Sequence, residues 1–301
     1  MNTANTQLSL RRRLRSCRSF LLAAGSRPDT FMSGPIDADA IIVDLESRVA
    51  PGQKERAREN ALFYLQMPAR RELVRIARIN SPRSLLGLGD LLALAEAENE
   101  PDAIIIPKCE SADELRLVAD VLEGAKSDIQ LIPMVELARA VFAVDEMAVA
   151  DERVCGLFLG GGDLAADLGN DGSWENLLFA RSRIVAAAAI SGIASIDVPY
   201  FKGDEAGLKA AAAASRKLGM TGKAALQAEQ LAAINNIFTP PADAITHARA
   251  VLTAVRGSGA GTPVLDDHVI EPAMIREAER VLAIAERLGT SNSTVATRVA
   301  A

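Results

Sequence analysis

Short apolar runs in this sequence end repeatedly on groups that can ligate, titrate or pair: Asp44 and Glu46, Arg78 and Asn80, Lys108, Glu136, Asp163 and Asp197. Carboxylates gathered in one place repel each other unless a cation sits among them. Oxygen donors with positions left open for water suit magnesium, or manganese. Glu136 and Asp163 end two successive runs and are the candidate joint ligands of such an ion. Asp44 and Glu46 share one face of an extended segment by its period of two. Each residue also has a purely structural reading. Asp163, ahead of "LAADLG", is a candidate helix N-cap, and Asp44, Glu46 and Arg78 are candidate ion-pair partners. Lys108 can act as a Schiff-base nucleophile only if its pKa is lowered. The only histidines, His247 and His268, lie near the C-terminus. A Ser-His-Asp triad or a His-rich zinc site would have to be built from these two, so the chemistry falls to carboxylates, arginines and lysines.

The stretch "LFLGGGDLAADLG", residues 157–169, looks at first like a phosphate loop. A dinucleotide fingerprint needs spaced glycines between a strand and a long helix, and a P-loop needs a lysine. Here the glycines are consecutive, no lysine follows and an aspartate comes at once. The glycines let backbone approach a neighbour closely, Asp163 is offered as a metal ligand, and Asp167 stabilises the loop or caps a helix.

The elements that must position these groups recur eight times. Candidate strands are residues 18–25, 40–46, 73–80, 103–108, 129–136, 154–160, 193–200 and 222–226. Several are continuous β-branched or leucine runs, as buried parallel strands require. Amphipathic segments lie between them. "SADELRLVADVLEGA" pairs Ser111 with Glu114 as a capping box and carries an apolar stripe of Leu115, Val118, Val121 and Leu122 before Gly124. Gly192 stops "NLLFARSRIVAAAAISG", and Pro28 suits a first helical turn. Eight strand–helix units predict an α/β fold, a closed (β/α)8 TIM barrel with a C-terminal helical appendage, with an open doubly wound sheet as runner-up. The expected divisions are a flexible N-terminal arm (1–17), the barrel (18–240) and a helix–hairpin–helix appendage (241–301) suited to subunit contact. Helices are expected at 242–256 and 272–288, and the last dozen residues read as frayed.

Bulk properties bound the function classes. The chain has 301 residues, 49% of them hydrophobic, and a formal charge of −6. Mild acidity argues against a nucleic-acid surface. The one basic run, "RRRLRSCR" at 11–18, reads as a solvated arm. The apolar part after it, Phe20 to Ala24, is too short for a signal-peptide core and fits a first strand. No run has the length of a membrane span. Cys17, Cys109 and Cys155 show no metal or redox spacing, which suits a reducing cytoplasm.

The blocks "RSFLLAAGSRPD", "AIIVDLESRVAPGQKERAREN", "RIN", "IIPKCES", "PMVELARAV", "GGGDLAADLG", "ARSRIVAAAAISGIASIDVPY" and "GKAALQAEQLAAINNIFTP" follow one another here in an order that resembles the citrate lyase beta-subunit-like branch of the HpcH/HpaI aldolase family. The likeness covers about residues 18–240, and "VLDDHVIEPAMIREAERVL" extends it. It implies a TIM barrel and a Mg²⁺-dependent carbon–carbon lyase that cleaves a 3-hydroxyacyl-coenzyme A, such as citramalyl-, malyl- or citryl-CoA, into an acyl-CoA and a 2-oxo acid. By resemblance, Glu136 and Asp163 are the metal ligands and Arg78 grips a carboxylate or carbonyl. Glu46, Asp44 and Arg27 join Arg78 in binding substrate, and Glu271 stands where some relatives have a catalytic aspartate. A homo-oligomer, trimer or hexamer, is implied too, with Glu271 completing another subunit's site.

Departures cluster at the thioester end. Gln227 and Ala228 replace a His-Pro pair, no lysine follows Asp29, Ala24 and Ser26 alter a Pro-Gly-Asn turn, and Ser47 replaces an acid. They keep two alternatives open: a metal-dependent aldolase or hydrolase acting on a free hydroxy or oxo acid, and a lyase subunit inactive without a partner.

Overall fold

Eight parallel strands close on themselves in chain order: β1 (Ser19–Ala24), β2 (Ala40–Asp44), β3 (Val74–Arg78), β4 (Ala103–Ile106), β5 (Gln130–Val135), β6 (Gly156–Leu159), β7 (Ala194–Asp197) and β8 (Gly222–Ala225). Each of the eight apolar runs forms one strand, shortened at its ends. Closure is made by β1 against β8, with Phe20 opposite Ala224 and Leu21 opposite Ala225. The computed structural model describes residues 10–33, 36–68, 72–259 and 261–289, in two compact units, Met1–Phe238 and Thr239–Ala301.

Residues 10–15 are helical (α1). The helices that follow in the first unit are α2 (Asp29–Met32), α3 (Lys54–Gln66), α4 (Leu85–Ala95), α5 (Ala112–Gly124), α6 (Ala138–Ala148), α7 (Gly161–Leu168), α8 (Leu178–Ser191), α9 (Glu205–Leu218) and α10 (Leu231–Phe238). The α5 stripe buries Leu115, Val118 and Leu122. Its capping box does not form as expected: Ser111 is the N-cap without a side-chain bond, and Glu114 instead accepts the Glu110 N–H at 2.6 Å. Gly192 ends α8 at φ 66°, a left-handed cap that glycine adopts without penalty.

Two cores follow from the two faces of the strands. Phe20 and Leu22, Ala40 and Ile42, Val74 and Ile76, Ala103 and Ile105, Ile132 and Met134, Phe158, Ala194 and Ile196, and Ala224 pack inside the barrel. The alternate residues, such as Ile104, Ile106, Leu131, Val135, Leu157 and Leu159, face the helices. The arm expected at 1–17 is corrected where it is described. Leu10, Leu14 and Cys17 are buried with the barrel-interior residues, and Leu14 is fully enclosed. The arginines around them stay at the surface of α1 and find partners, Arg11 on the Glu152 carbonyl and Arg13 on Asp102 and the Leu73 carbonyl. A basic run with apolar residues at helical spacing is therefore a plug with a charged rim. Residues 1–9 lie outside the described residues.

The second unit pairs α11 (Ala242–Gly257) with α12 (Pro272–Arg287) around Ala248, Val251, Ile270 and Ala278. Between them β9 (Val264–Leu265) and β10 (His268–Val269) form an antiparallel hairpin through Asp266 and Asp267, both at positive φ. The tail expected to fray, 290–301, lies outside the described residues. Among the described residues no helix is long and apolar enough to cross a membrane.

Leu14 offers a direct check on the plug. Leu14→Ala should lower the unfolding free energy in urea by about 3 kcal/mol, and a change near zero would show that α1 does not seal the barrel.

Candidate active site

Strand parity decides which polar groups reach the barrel mouth. Continuing the inward face by two residues leads from Ile42 to Asp44, from Ile76 to Arg78, from Met134 to Glu136 and from Phe158 to Gly160. Asp44, Arg78 and Glu136 are almost wholly buried there. Asp197 and Lys223 have the opposite parity, beside the inward Ile196 and Ala224. Asp197, read from sequence as a mouth residue, is therefore corrected to the outer face of β7. It pairs with Lys223 at 2.6 Å and Arg181 at 2.9 Å, and Ser215 donates to it. Burial pushes its carboxyl up, but Lys223 and Arg181 outweigh that and hold it below the usual carboxylate range. Asn80 is also structural, bonding Asp90 and the Leu45 carbonyl.

Arg78 is held by a fork. Its Nε and Nη2 donate to Asp44 at 2.7 and 2.6 Å, and Nη2 also donates to the Ser47 hydroxyl at 2.6 Å. Among the described residues the remaining nitrogen, Nη1, has only the Met134 sulfur at 3.8 Å and Glu46 at 3.5 Å. Asp44 spends its other capacity on the backbone N–H groups of Glu46 and Arg48. It does not line the cavity, so its expected place among groups touching substrate is corrected: it stands behind Arg78 and orients it. Glu46 is shared between Arg78 and Lys108, whose Nζ lies 3.2 Å away. Burial works to lower the Lys108 ammonium, but Glu46 outweighs it and holds it above its ordinary value. A Schiff-base lysine needs the opposite shift.

Asp163 lies in the first turn of α7 without capping it, the N-cap being Gly160 with no side-chain bond. Its carboxylate is exposed and accepts no hydrogen bond from the described residues. Two glycines before it are required by space. A Cβ on Gly160 would lie 2.4 Å from Glu136 Cβ and 2.6 Å from Glu136 Oε2, and one on Gly161 would lie 2.8 Å from Val198. Gly162 faces open space. Asp167 accepts the Ala138 N–H at 2.6 Å and tethers the start of α6.

Arg78, Glu136 and Asp163 line one cavity of about 120 Å³, floored by Met134 and Phe158 and walled by Val198 and Phe201. Burial, with Asp163 and Glu46 nearby, pushes Glu136 up to about 7 against the opposing pull of the Lys108 N–H and Arg78. Around this mouth the carboxylates of Asp44, Glu46, Glu136 and Asp163 outnumber the cations of Arg48, Arg78 and Lys108. The donor set fits a hard divalent cation: two carboxylates with free oxygens, a surplus of negative charge and room for water. No third Asp, Glu, His or Cys joins them as a ligand cluster among the described residues, so solvent or substrate oxygens would complete the shell.

A second cavity of about 740 Å³ adjoins the first, sharing Arg48 and Leu226, and is lined by Arg27, Asp29, Gln227 and Glu229. Arg27 is exposed and paired with Asp29 at 3.1 Å, which places it in this outer cavity and away from Arg78. Glu271 belongs to the second unit, where it is the exposed N-cap residue of α12. Sequence reasoning passed over Lys54, which donates to the Leu45 and Glu46 carbonyls and holds the β2 exit. It also treated Ser47 only as a lost acid, although its hydroxyl supports Arg78. Neither has a local signal, because both act on backbone or side chains brought close by the fold.

Comparison with known proteins places this arrangement. Residues 18–228 match the family model described as HpcH/HpaI aldolase/citrate lyase. The chain is 33% identical to the L-malyl-CoA/beta-methylmalyl-CoA lyase of Rhodobacter capsulatus, over 91% of this chain and 95% of that protein. It is 31% identical to the citrate lyase subunit beta of Escherichia coli K12, over 92% and 96%. Among solved structures, the CitE protein of Mycobacterium tuberculosis in complex with magnesium, acetoacetate and coenzyme A superposes with a TM-score of 0.71 at 26% identity, covering 92% of this chain and all of that one. A closed parallel barrel with acidic and arginine side chains at its mouth, and a family match over most of its length, together show that this chain belongs to the HpcH/HpaI aldolase/citrate lyase family.

Proposed function

We propose that this protein is a Mg²⁺-dependent carbon–carbon lyase that splits a 3-hydroxyacyl-coenzyme A into an acyl-CoA and a 2-oxo acid. The observation that carries this reading is the convergence of Glu136, Asp163 and Arg78, whose Nη1 makes only long contacts to Met134 and Glu46 among the described residues, on one small cavity. Glu136 and Asp163 would hold Mg²⁺, with Mn²⁺ as a substitute. When bound, the ion would polarise the oxygens of the 2-oxo acid and offset charge that develops on them.

The cleavage breaks the bond between C2 and C3 of the acyl chain. The C3 hydroxyl gives up its proton and becomes the oxo group. The bonding pair passes to C2, is delocalised into the thioester as an enolate and is quenched by a proton. Arg78 is suited to the thioester or carboxylate oxygen, because Asp44 fixes its plane and leaves Nη1 to meet charge as it develops. Glu46 lies beside Nη1 of Arg78, at 3.5 Å. The 120 Å³ space accepts a few-carbon acid but not a coenzyme, whereas the adjoining 740 Å³ cavity has the size for a thioester tail and presents Arg27 and Arg48 beside Asp29, Asp37 and Glu229. Gln227 and Ala228 line that same outer cavity and favour the second reading, an aldolase or hydrolase of a free hydroxy or oxo acid. The proton-transferring group in this scheme is Glu271, and the working form is a homo-oligomer. Three buried cysteines with no disulfide between them support a reducing, cytoplasmic setting.

Turnover of malyl-, citramalyl- and citryl-CoA, followed by mass spectrometry with and without Mg²⁺, tests the reading. A metal-dependent 2-oxo acid product should fall by about a thousandfold in Asp163→Ala. Silence across the thioesters, with turnover of free acids, would move the assignment to the second reading.

Replacing Glu271 by Gln keeps its shape and removes its proton chemistry. That change should cut kcat by about a hundredfold or more with Mn²⁺ affinity unaltered, and an unchanged kcat would exclude Glu271 from proton transfer.

A proton and a metal compete for Glu136. With the carboxyl near 7 in the free protein, Mn²⁺ affinity measured by electron paramagnetic resonance should weaken by about tenfold per pH unit below 7 and level off above it. A flat profile between pH 5.5 and 8 would remove Glu136 from the ligand set.

A further inference from the structure

Lys108, in the turn after β4, stands at φ 53°, a left-handed conformation that Asn, Asp and Gly adopt more readily than a long side chain does. The turn aims the Lys108 backbone N–H at Glu136 Oε1, 2.6 Å away. The same residue sends its ammonium to Glu46 Oε1 at 3.2 Å. One residue thus holds two carboxylates that leave different strands, one through its backbone and the other through its side chain. Glu136 is fixed from its other side as well, because Oε2 occupies the space left by the missing Cβ of Gly160. Glu46 Oε2 takes the Ser47 N–H at 2.8 Å and faces Arg78 at 3.5 Å.

We propose that Lys108 is a positioning residue that sorts the two glutamates: its backbone N–H presents Glu136 to a divalent cation, and its ammonium keeps Glu46 off that cation and beside Arg78. The inference rests on Glu136 and Asp163 being the metal ligands. Its physical basis is that crowded carboxylates compete for one ion. Glu46 is close enough to this mouth to interact with Glu136, and a third carboxylate on the ion would take a position that the substrate needs. An ammonium on Glu46 removes that competition without lengthening or moving either strand.

The two functions separate by substitution. Lys108→Asn keeps a residue that tolerates the left-handed turn and removes the ammonium. Lys108→Val resists the turn and removes both, since β-branched residues are outliers at positive φ. Mn²⁺ titration by electron paramagnetic resonance, with kcat and KM on whichever substrate the wild type turns over, reads both effects. Lys108→Asn should bind Mn²⁺ at least as tightly as wild type, within about threefold on the weak side, while kcat falls by about tenfold or more. Lys108→Val should lose about tenfold or more in Mn²⁺ affinity, and Lys108→Ala takes its place if the valine variant does not melt cooperatively. Lys108→Arg, which keeps the charge, should recover part of the kcat lost in Lys108→Asn. Equal Mn²⁺ affinity in the wild type and in both the valine and alanine variants overturns the proposal, as does an affinity loss in Lys108→Asn matching that of Lys108→Val. A wild type that binds no Mn²⁺ overturns the proposal together with the metal reading, which keeps the two failures distinct.

Discussion

A closed parallel barrel seals the inner face of every strand, so an inward charge can be tolerated only where the strands end. That constraint organises the whole molecule. The interior of Phe20, Ile42, Ile76, Ile105, Ile132 and Phe158 leaves no partner for a charge, and stranding one there would cost several kcal/mol. The lower end is shut by Leu14 from α1. Polar groups of inward parity therefore collect at the upper rim, where Asp44, Arg78 and Glu136 remain buried yet reach one another.

Burial at that rim demands pairing, and the pairing divides the labour. Asp44 gives both oxygens to Arg78 and to two backbone N–H groups, so it acts on the cavity only through the arginine it orients. Glu46 is kept between Arg78 and Lys108. Glu136 has a backbone N–H on one oxygen, and Asp163 has neither oxygen engaged among the described residues. The two carboxylates with the fewest internal partners are thus the two that suit a cation. The Asp197, Lys223 and Arg181 cluster obeys the same rule on the other face of the sheet, where Asp197 pairs with both cations behind the barrel wall.

Close packing explains the local backbone. Gly160 makes space for Glu136 and Gly161 for Val198, so the turn from β6 into α7 presses against β5 and the β7 exit. Lys108 accepts a strained conformation in the neighbouring turn because its N–H then reaches Glu136. Such geometry persists only where surrounding contacts impose it, and here they do so on both sides of one carboxylate.

Much of this was legible in the sequence. Eight apolar runs, the helical stripes between them and the run of glycines specify strands, helices and a turn through contacts between near neighbours, which periodicity records. The convergence of Arg78, Glu136 and Asp163 was legible too, because parallel strands in a barrel all end at the same face. Parity could have moved Asp197 to the outer wall, since Ile196 beside it already takes the inward position. What no local pattern contains is the pairing across the fold: Asp44 turned onto Arg78 rather than a ligand, Lys54 holding the β2 exit, α1 plugging the barrel where its arginines suggested a free arm, and Glu46 restrained by a lysine sixty-two residues away. Those were decided by tertiary structure alone, because a buried charge selects its partner by distance and desolvation, and both exist only once the barrel has closed.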